Sequence, residues 1–169
     1  MKMSIGVEYA LHCLLPMIDL QDKSPATVKN LALYQGISES YLAKIFTKLT
    51  KAKLVQAEPG VKGGYRLAQS PADISFLDIF EAVEGKDSFF RCKAVRHASI
   101  LLQEEETVPP PYKTPCAVRK IMSGSEEAFK GYLQQYTLAW LHHHTYTEVL
   151  SEQDRLDTIE WFESQSNGN

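Results

Sequence analysis

The chain has 169 residues, and its 44% apolar share and well-represented aromatics exclude a globally disordered protein. The length suits one compact domain, or a small domain with a long appendage. No apolar run approaches the ~20 residues of a membrane span. Met1-Lys2-Met3-Ser4 lacks the apolar region and cleavage site of a signal peptide, so a cytoplasmic protein is expected. Net charge is −3, which by itself argues against a nucleic-acid partner. Its distribution reverses that argument. Lys23, Lys29, Lys44, Lys48, Lys51, Lys53, Lys62 and Arg66 stand against only Glu39 and Glu58 in that stretch, a local +6 that leaves −9 for the rest. A concentrated basic segment steers toward DNA phosphate, although a solvated lysine face would look the same on charge alone.

In chain order, Ser4 to Leu20 has helical spacing at Ile5, Tyr9, Leu11, Leu14, Leu15 and Ile18, with Pro16 bending it near its end. Ser24-Pro25 is a break. A short helix follows around Val28–Tyr34, and Gly36 suits its left-handed C-terminal position. Ser38 caps a longer helix from Glu39 to about Ala52. Its apolar stripe is Leu42, Ile45, Phe46 and Leu49, and its polar face carries Ser40, Tyr41, Lys44, Lys48 and Lys51. Two helices about a short glycine-containing turn, the second with a basic face, match a helix-turn-helix.

Leu54–Glu58 alternates like a strand. Pro59 to Gly64 is a turn and Tyr65-Arg66-Leu67 a second short strand, together a hairpin wing. Ser75-x-x-Asp78 opens a helix ending at Gly85. Phe89 to Cys116 is irregular, with the acidic run Glu104–Glu106 and the triple proline Pro109–Pro111. Such a loop in a small protein is usually functional or disordered. Glu126 to about Leu150 reads as a long helix, and the polar stretch after Ser151 offers Trp161 and Phe162 as a docking point. The fold class is mainly α with a small β-hairpin.

The segments Ile37 to Val55, Gly63-Gly64-Tyr65-Arg66-Leu67 and Asp78 to Gly85 resemble the IscR/NsrR family of bacterial winged-helix regulators. The likeness covers about residues 1 to 145. It implies a two-fold dimer held by the long helix of residues 125–150, reading a pseudo-palindromic double-stranded operator through a winged domain of residues 1–85. Residues 86–124 would be the sensor loop and 151–169 a tail. Carried over by position, the DNA-facing residues are Ser38, Ser40, Tyr41, Lys44 and Lys48 on the recognition helix, with Gly60, Lys62 and Gly63 at the wing tip. Pro59 stands where many relatives have arginine, so minor-groove reading is weaker or falls to Lys62.

Cluster-bearing relatives place three cysteines close together before the last helix. Here the loop has only Cys92 and Cys116, separated by twenty-three residues. Glu8 and His12, four residues apart, share one face of the first helix, where a carboxylate and an imidazole can share a metal or simply bond each other. The Gly6-Val-Glu-Tyr-Ala-Leu-His-Cys13 run, with the distant Pro115-Cys116-Ala-Val-Arg119, resembles the RsrR-like redox-sensing branch. That likeness implies a 2Fe–2S cluster held by Cys92 and Cys116 of one subunit with Glu8 and His12 of the other. The mixed donor set suits iron.

The remaining candidates read blandly. Cys13 is a small core residue, His97 a solvated loop side chain, and Tyr9 a packing residue near Glu8. His142-His143-His144 are consecutive on a helix and point apart. The competing reading is a cluster-free regulator gated by a Cys92/Cys116 thiol switch, a small ligand or a partner protein. An enzyme ranks last, since no nucleophile, base and orienting group occur together.

Overall fold

The computed structural model describes residues 3–60, 63–95, 100, 114 and 116–167. Lys62, His97, the acidic run and the triple proline lie outside the described residues. The chain divides into two units, one of residues 2–86 with 133–169, the other of residues 87–132 with Met1.

In the first unit, helix α1 (Ile5–Met17) ends one residue past Pro16, as a helix proline predicts. Helix α2 (Val28–Gln35) is capped by the Thr27 hydroxyl, which accepts from the Asn30 N–H at 3.0 Å. It stops at Gly36, whose φ of 64° is the left-handed turn that a residue with a Cβ rarely adopts. Helix α3 (Glu39–Lys51) begins at Ser38, as its sequence anticipates. Its stripe of Leu42, Ile45, Phe46 and Leu49 is buried against α1, α2 and helix α4 (Phe76–Glu84). Each such side chain taken from water is worth roughly 1.5–3 kcal/mol. Strands β1 (Val55–Glu58) and β2 (Gly64–Leu67) pair antiparallel in the register Val55↔Leu67 to Glu58↔Gly64. Ser75 and Asp78 cap α4 reciprocally.

The expected long helix from Glu126 to Leu150 is corrected. Helix α5 runs Ala117–Gln134, starting nine residues earlier, and helix α6 (Leu138–His144) follows a break. Residues 135–137 separate the two helices because the backbone here bonds elsewhere. The Phe76 N–H donates to the Tyr136 carbonyl at 2.9 Å, the Leu138 N–H donates to the Ile74 carbonyl at 2.9 Å, and Thr137 pairs with Ser75. Thr137 then caps α6 through the Trp140 N–H. A π-helical turn, Thr145–Val149, leads to Leu150.

The expected tail is likewise a helix, α7 (Glu152–Asn167), opened by the same Ser-x-x-Asp box seen at Ser75. The Ser151 N–H donates to Asp154 Oδ2 at 2.7 Å, and the Asp154 N–H returns to Ser151 Oγ at 3.2 Å. Trp161 and Phe162 do dock. The Tyr34 ring of α2 lies 5.1 Å from each, and Phe162 is buried. Charge fixes the same helix. Asp19, 6% exposed, receives His142 Nε2 at 2.9 Å on one oxygen and Arg155 at 2.7 and 3.0 Å on the other. Burial pushes its carboxyl up, but the His142 and Arg155 hydrogen bonds outweigh that and hold it below the usual range.

In the second unit, residues 88–89 are tied to α5. The Ser88 hydroxyl and Phe89 N–H both donate to Glu126, and the Phe89 and Phe129 rings meet edge-on at 5.3 Å. None of α5 is buried. Among the described residues, no helix is long and apolar enough to cross a membrane.

Candidate functional site

Helix α3 presents Ser40 and Lys44 to solvent. Ser38 is partly occupied by its own helix, accepting the Tyr41 N–H at 3.4 Å and lying 3.1 Å from the Ser40 hydroxyl. Tyr41 is 37% exposed and packs edge-on against Tyr9 of α1, ring centroids 5.9 Å apart. Tyr9 therefore faces the recognition helix.

The basic segment is less free than its count suggests. Lys48 donates its ammonium to the Val83 carbonyl at 2.6 Å, tying α3 to the C-terminus of α4. Lys48 is nonetheless exposed on the outer face of α3. Lys23 pairs with Glu163 at 2.7 Å. Arg66 spends its guanidinium on Glu58 Oε1 at 2.6 Å and on the carbonyls of Leu20, Gln21 and Lys23, which pin the wing to the end of α1. All three were counted in the basic segment, and each has an intramolecular partner in the fold. At the wing tip, the Gly63 N–H donates to the Gly60 carbonyl at 2.9 Å. A Cβ on Gly63 would sit 2.3 Å from the Glu58 carbonyl, so the turn excludes any side chain there.

Glu8 and His12 are exposed side by side on α1. Both line an open groove of about 590 Å³ whose other walls include Tyr34, Phe76, Tyr146 and Leu150. Cys92 is an exposed free thiol whose sulfur accepts the Ala94 N–H at 3.4 Å. Cys116 is half-buried at the start of α5, its carbonyl taking the Lys120 N–H at 2.9 Å. The chain thus carries one pair on α1 and another in the 87–132 unit. Among the described residues no single chain gathers three or more metal-ligating side chains. The donors present are of the right types for iron: thiols that ionise when a metal binds, a carboxylate and an imidazole.

Cys13 is fully buried, as expected, and burial pushes its thiol up to about 12. The three consecutive histidines do point apart. His142 bonds Asp19, His144 stacks on Trp140 at 5.0 Å, and His143 is exposed.

Residues 3–144 match the Rrf2 family, described as an iron-dependent transcriptional regulator, and the chain belongs to that family. It is 31% identical over 140 residues to the NsrR regulator of Geobacillus kaustophilus, covering 82% of this chain and 88% of that one. Against protein rrf2 of Nitratidesulfovibrio vulgaris it is 30% identical, covering 82% and 85%. With the YwgB regulator of Bacillus subtilis it shares 36% identity but spans only 61% of that chain. Among solved structures, T. potens IscR superposes with a TM-score of 0.65 at 23% identity, covering 89% of this chain and 93% of that one. CymR, the global cysteine regulator of B. subtilis, gives 0.64 at 26% identity, covering 86% and 99%. The YwgB and NsrR relatives are named as transcriptional regulators. The chain is a mainly helical winged-helix transcriptional regulator.

Proposed function

We propose that this member of the Rrf2 family works as a homodimer on a pseudo-palindromic operator, and that it belongs with the RsrR-like branch. In this reading Cys92 and Cys116 of one subunit, with Glu8 and His12 of the partner subunit, hold a 2Fe–2S cluster. The supporting observation is the Glu8/His12 pair: two ligand-type side chains, adjacent and exposed on one helical face. When bound, such a cluster supplies a one-electron redox change, and imidazole ligation in place of thiolate raises its potential. The chain's own residues supply the route to DNA. Glu8 adjoins Tyr9, and Tyr9 packs on Tyr41 of α3, so a shift of α1 presses directly on the recognition helix.

Iron and sulfide content per chain tests the ligand set. Cys92→Ala and Cys116→Ala should each lose most bound iron, Glu8→Ala and His12→Ala should alter the visible spectrum, and Cys13→Ala should change neither. Full iron with an unaltered spectrum in His12→Ala removes α1 from the set. Operator titrations test the DNA face. Lys44→Ala should weaken binding and flatten its salt dependence by about one counterion, while Tyr41→Ala weakens binding without unfolding the dimer. The exposed Cys92 thiol favours one alternative, a cluster-free regulator gated by Cys92 and Cys116. Colourless, iron-free protein after anaerobic reconstitution would select it.

A further inference from the structure

A proline inside a helix leaves one carbonyl without its donor. In α1 that proline is Pro16, and the carbonyl four residues back is that of His12. The side chain of Gln35 fills the gap: its Nε2 donates to the His12 carbonyl oxygen at 3.0 Å. A carbonyl only accepts, so the amide must present its NH₂ end there. Gln35 is the last residue of α2. Gly36 follows in its fixed left-handed turn, its N–H donating to the Leu33 carbonyl at 3.2 Å while the Ile37 N–H donates to the Ala32 carbonyl at 2.9 Å. Ser38, the cap of the recognition helix, comes next. Gln35 also lines the groove that carries Glu8 and His12. The His12 turn is thus joined by one side-chain bond to a tightly bonded three-residue link into α3.

We propose that Gln35 is a positioning residue that transmits the restraint on His12 to the recognition helix, and that Pro16 is what makes this transmission necessary. With a residue that carries a backbone N–H at position 16, the His12 carbonyl is satisfied within α1, and this bond to the end of α2 is lost while the packing of α1 on α2 and α3 remains. The inference rests on the reading of His12 as a cluster ligand only for the signal that it carries. The bond itself is independent of that reading.

The test uses the full-length protein in four forms: the parent, Gln35→Met, Pro16→Ala and the double variant. Chemical unfolding of the apo proteins comes first. Gln35→Met should shift the unfolding equilibrium about threefold to tenfold toward the unfolded state. In the Pro16→Ala background that loss should vanish, because the backbone N–H restored at position 16 takes over the carbonyl. Additive effects would overturn the bond exchange. Anaerobic operator titration at fixed salt comes second, with oxidised and dithionite-reduced protein and with iron measured in the same samples. Gln35→Met should lower the ratio of the two affinities about fivefold while keeping its iron. Full iron with an unchanged ratio overturns the positioning role alone. If the parent holds no iron, the cluster reading fails, and the unfolding cycle decides for or against the Pro16–Gln35 exchange by itself.

Discussion

The two units of the chain solve the problem of apolar surface in opposite ways. The unit of residues 2–86 and 133–169 closes its own core. Leu14, Leu31, Leu42, Phe46, Leu49 and Ile79 are 0% exposed, and even the buried Ser75 hydroxyl is consumed in a capping box. In the 87–132 unit, none of the described residues is buried. Its helix α5 leaves Val118, Ile121 and Met122 at 62%, 67% and 43% exposure. A helix of this length gains little from its backbone bonds alone and normally relies on an apolar face being covered. The first unit therefore has what it needs within one chain, while α5 has the composition of a helix whose partner is another surface. In our reading that surface is a second copy.

The largest effect should come from breaking that assembly. Ile121→Glu places a charge on the exposed apolar stripe of α5. It should convert the dimer to monomer by sedimentation, and lower operator affinity about 100-fold or more, because two half-sites are no longer engaged together. The far-ultraviolet circular dichroism of the core unit should survive. An intact dimer in Ile121→Glu would show that α5 is not the interface and would erase the contrast between the units.

A middle-sized effect tests the closed unit. Arg155→Met leaves Asp19 with His142 as its one ion-pair partner among the described residues. Arg155 keeps about a third of its side chain in water, so the cost should be about 1–2 kcal/mol, below that of a fully buried pair. Urea unfolding measures it. The acid dependence has a definite sign. The Asp19 carboxyl is held below its ordinary range in the fold, so its contribution is complete above the unfolded value of about 3.9. It disappears as pH falls through the lower folded value. Asp19→Asn should therefore be less stable than the parent at pH 6 and should close that gap below about pH 4. A gap unchanged down to pH 3 would mean that the Asp19 charge adds nothing to the docking of α6 and α7.

Much of this was legible in sequence because the signals are local. Ser38 and Gly36 mark helix ends by their own chemistry, and the wing hairpin follows from a turn between two short strand-like stretches. That Glu8 and His12 share one face follows from their i, i+4 spacing on a helix. What was not legible is whatever tertiary bonding decided. Helical periodicity continues through Tyr136, yet residues 136–138 spend their backbone groups on Ile74 and Phe76 instead. Lys48 and Arg66 look like DNA-binding cations in a one-dimensional count and turn out to hold carbonyls. The Pro16–Gln35 link was also invisible, since spacing cannot show which distant donor a proline's orphaned carbonyl will find. Helix α7 could have been found: Ser151-x-x-Asp154 repeats the box already recognised at Ser75.

The smallest effect separates the units without altering either. Cys13 and Cys92 report on different halves of the comparison with the same chemistry. Thiol reagents attack the thiolate. With Cys13 pushed up to about 12 by burial, its thiolate fraction at pH 8 is on the order of 10⁻⁴, and its side chain is 0% exposed besides. Cys13 should therefore label only when the core opens, at a rate that urea accelerates. The exposed Cys92 should label at once in apo protein, with no urea dependence. Reconstitution with iron and sulfide should then protect Cys92 while leaving the Cys13 rate unchanged, because ligation engages the second unit's thiol and does not reach into the first unit's core. Fast labelling of Cys13 in native buffer would mean that the core is not closed. Persistent labelling of Cys92 in iron-loaded protein would take it out of the ligand set, leaving the core unaffected.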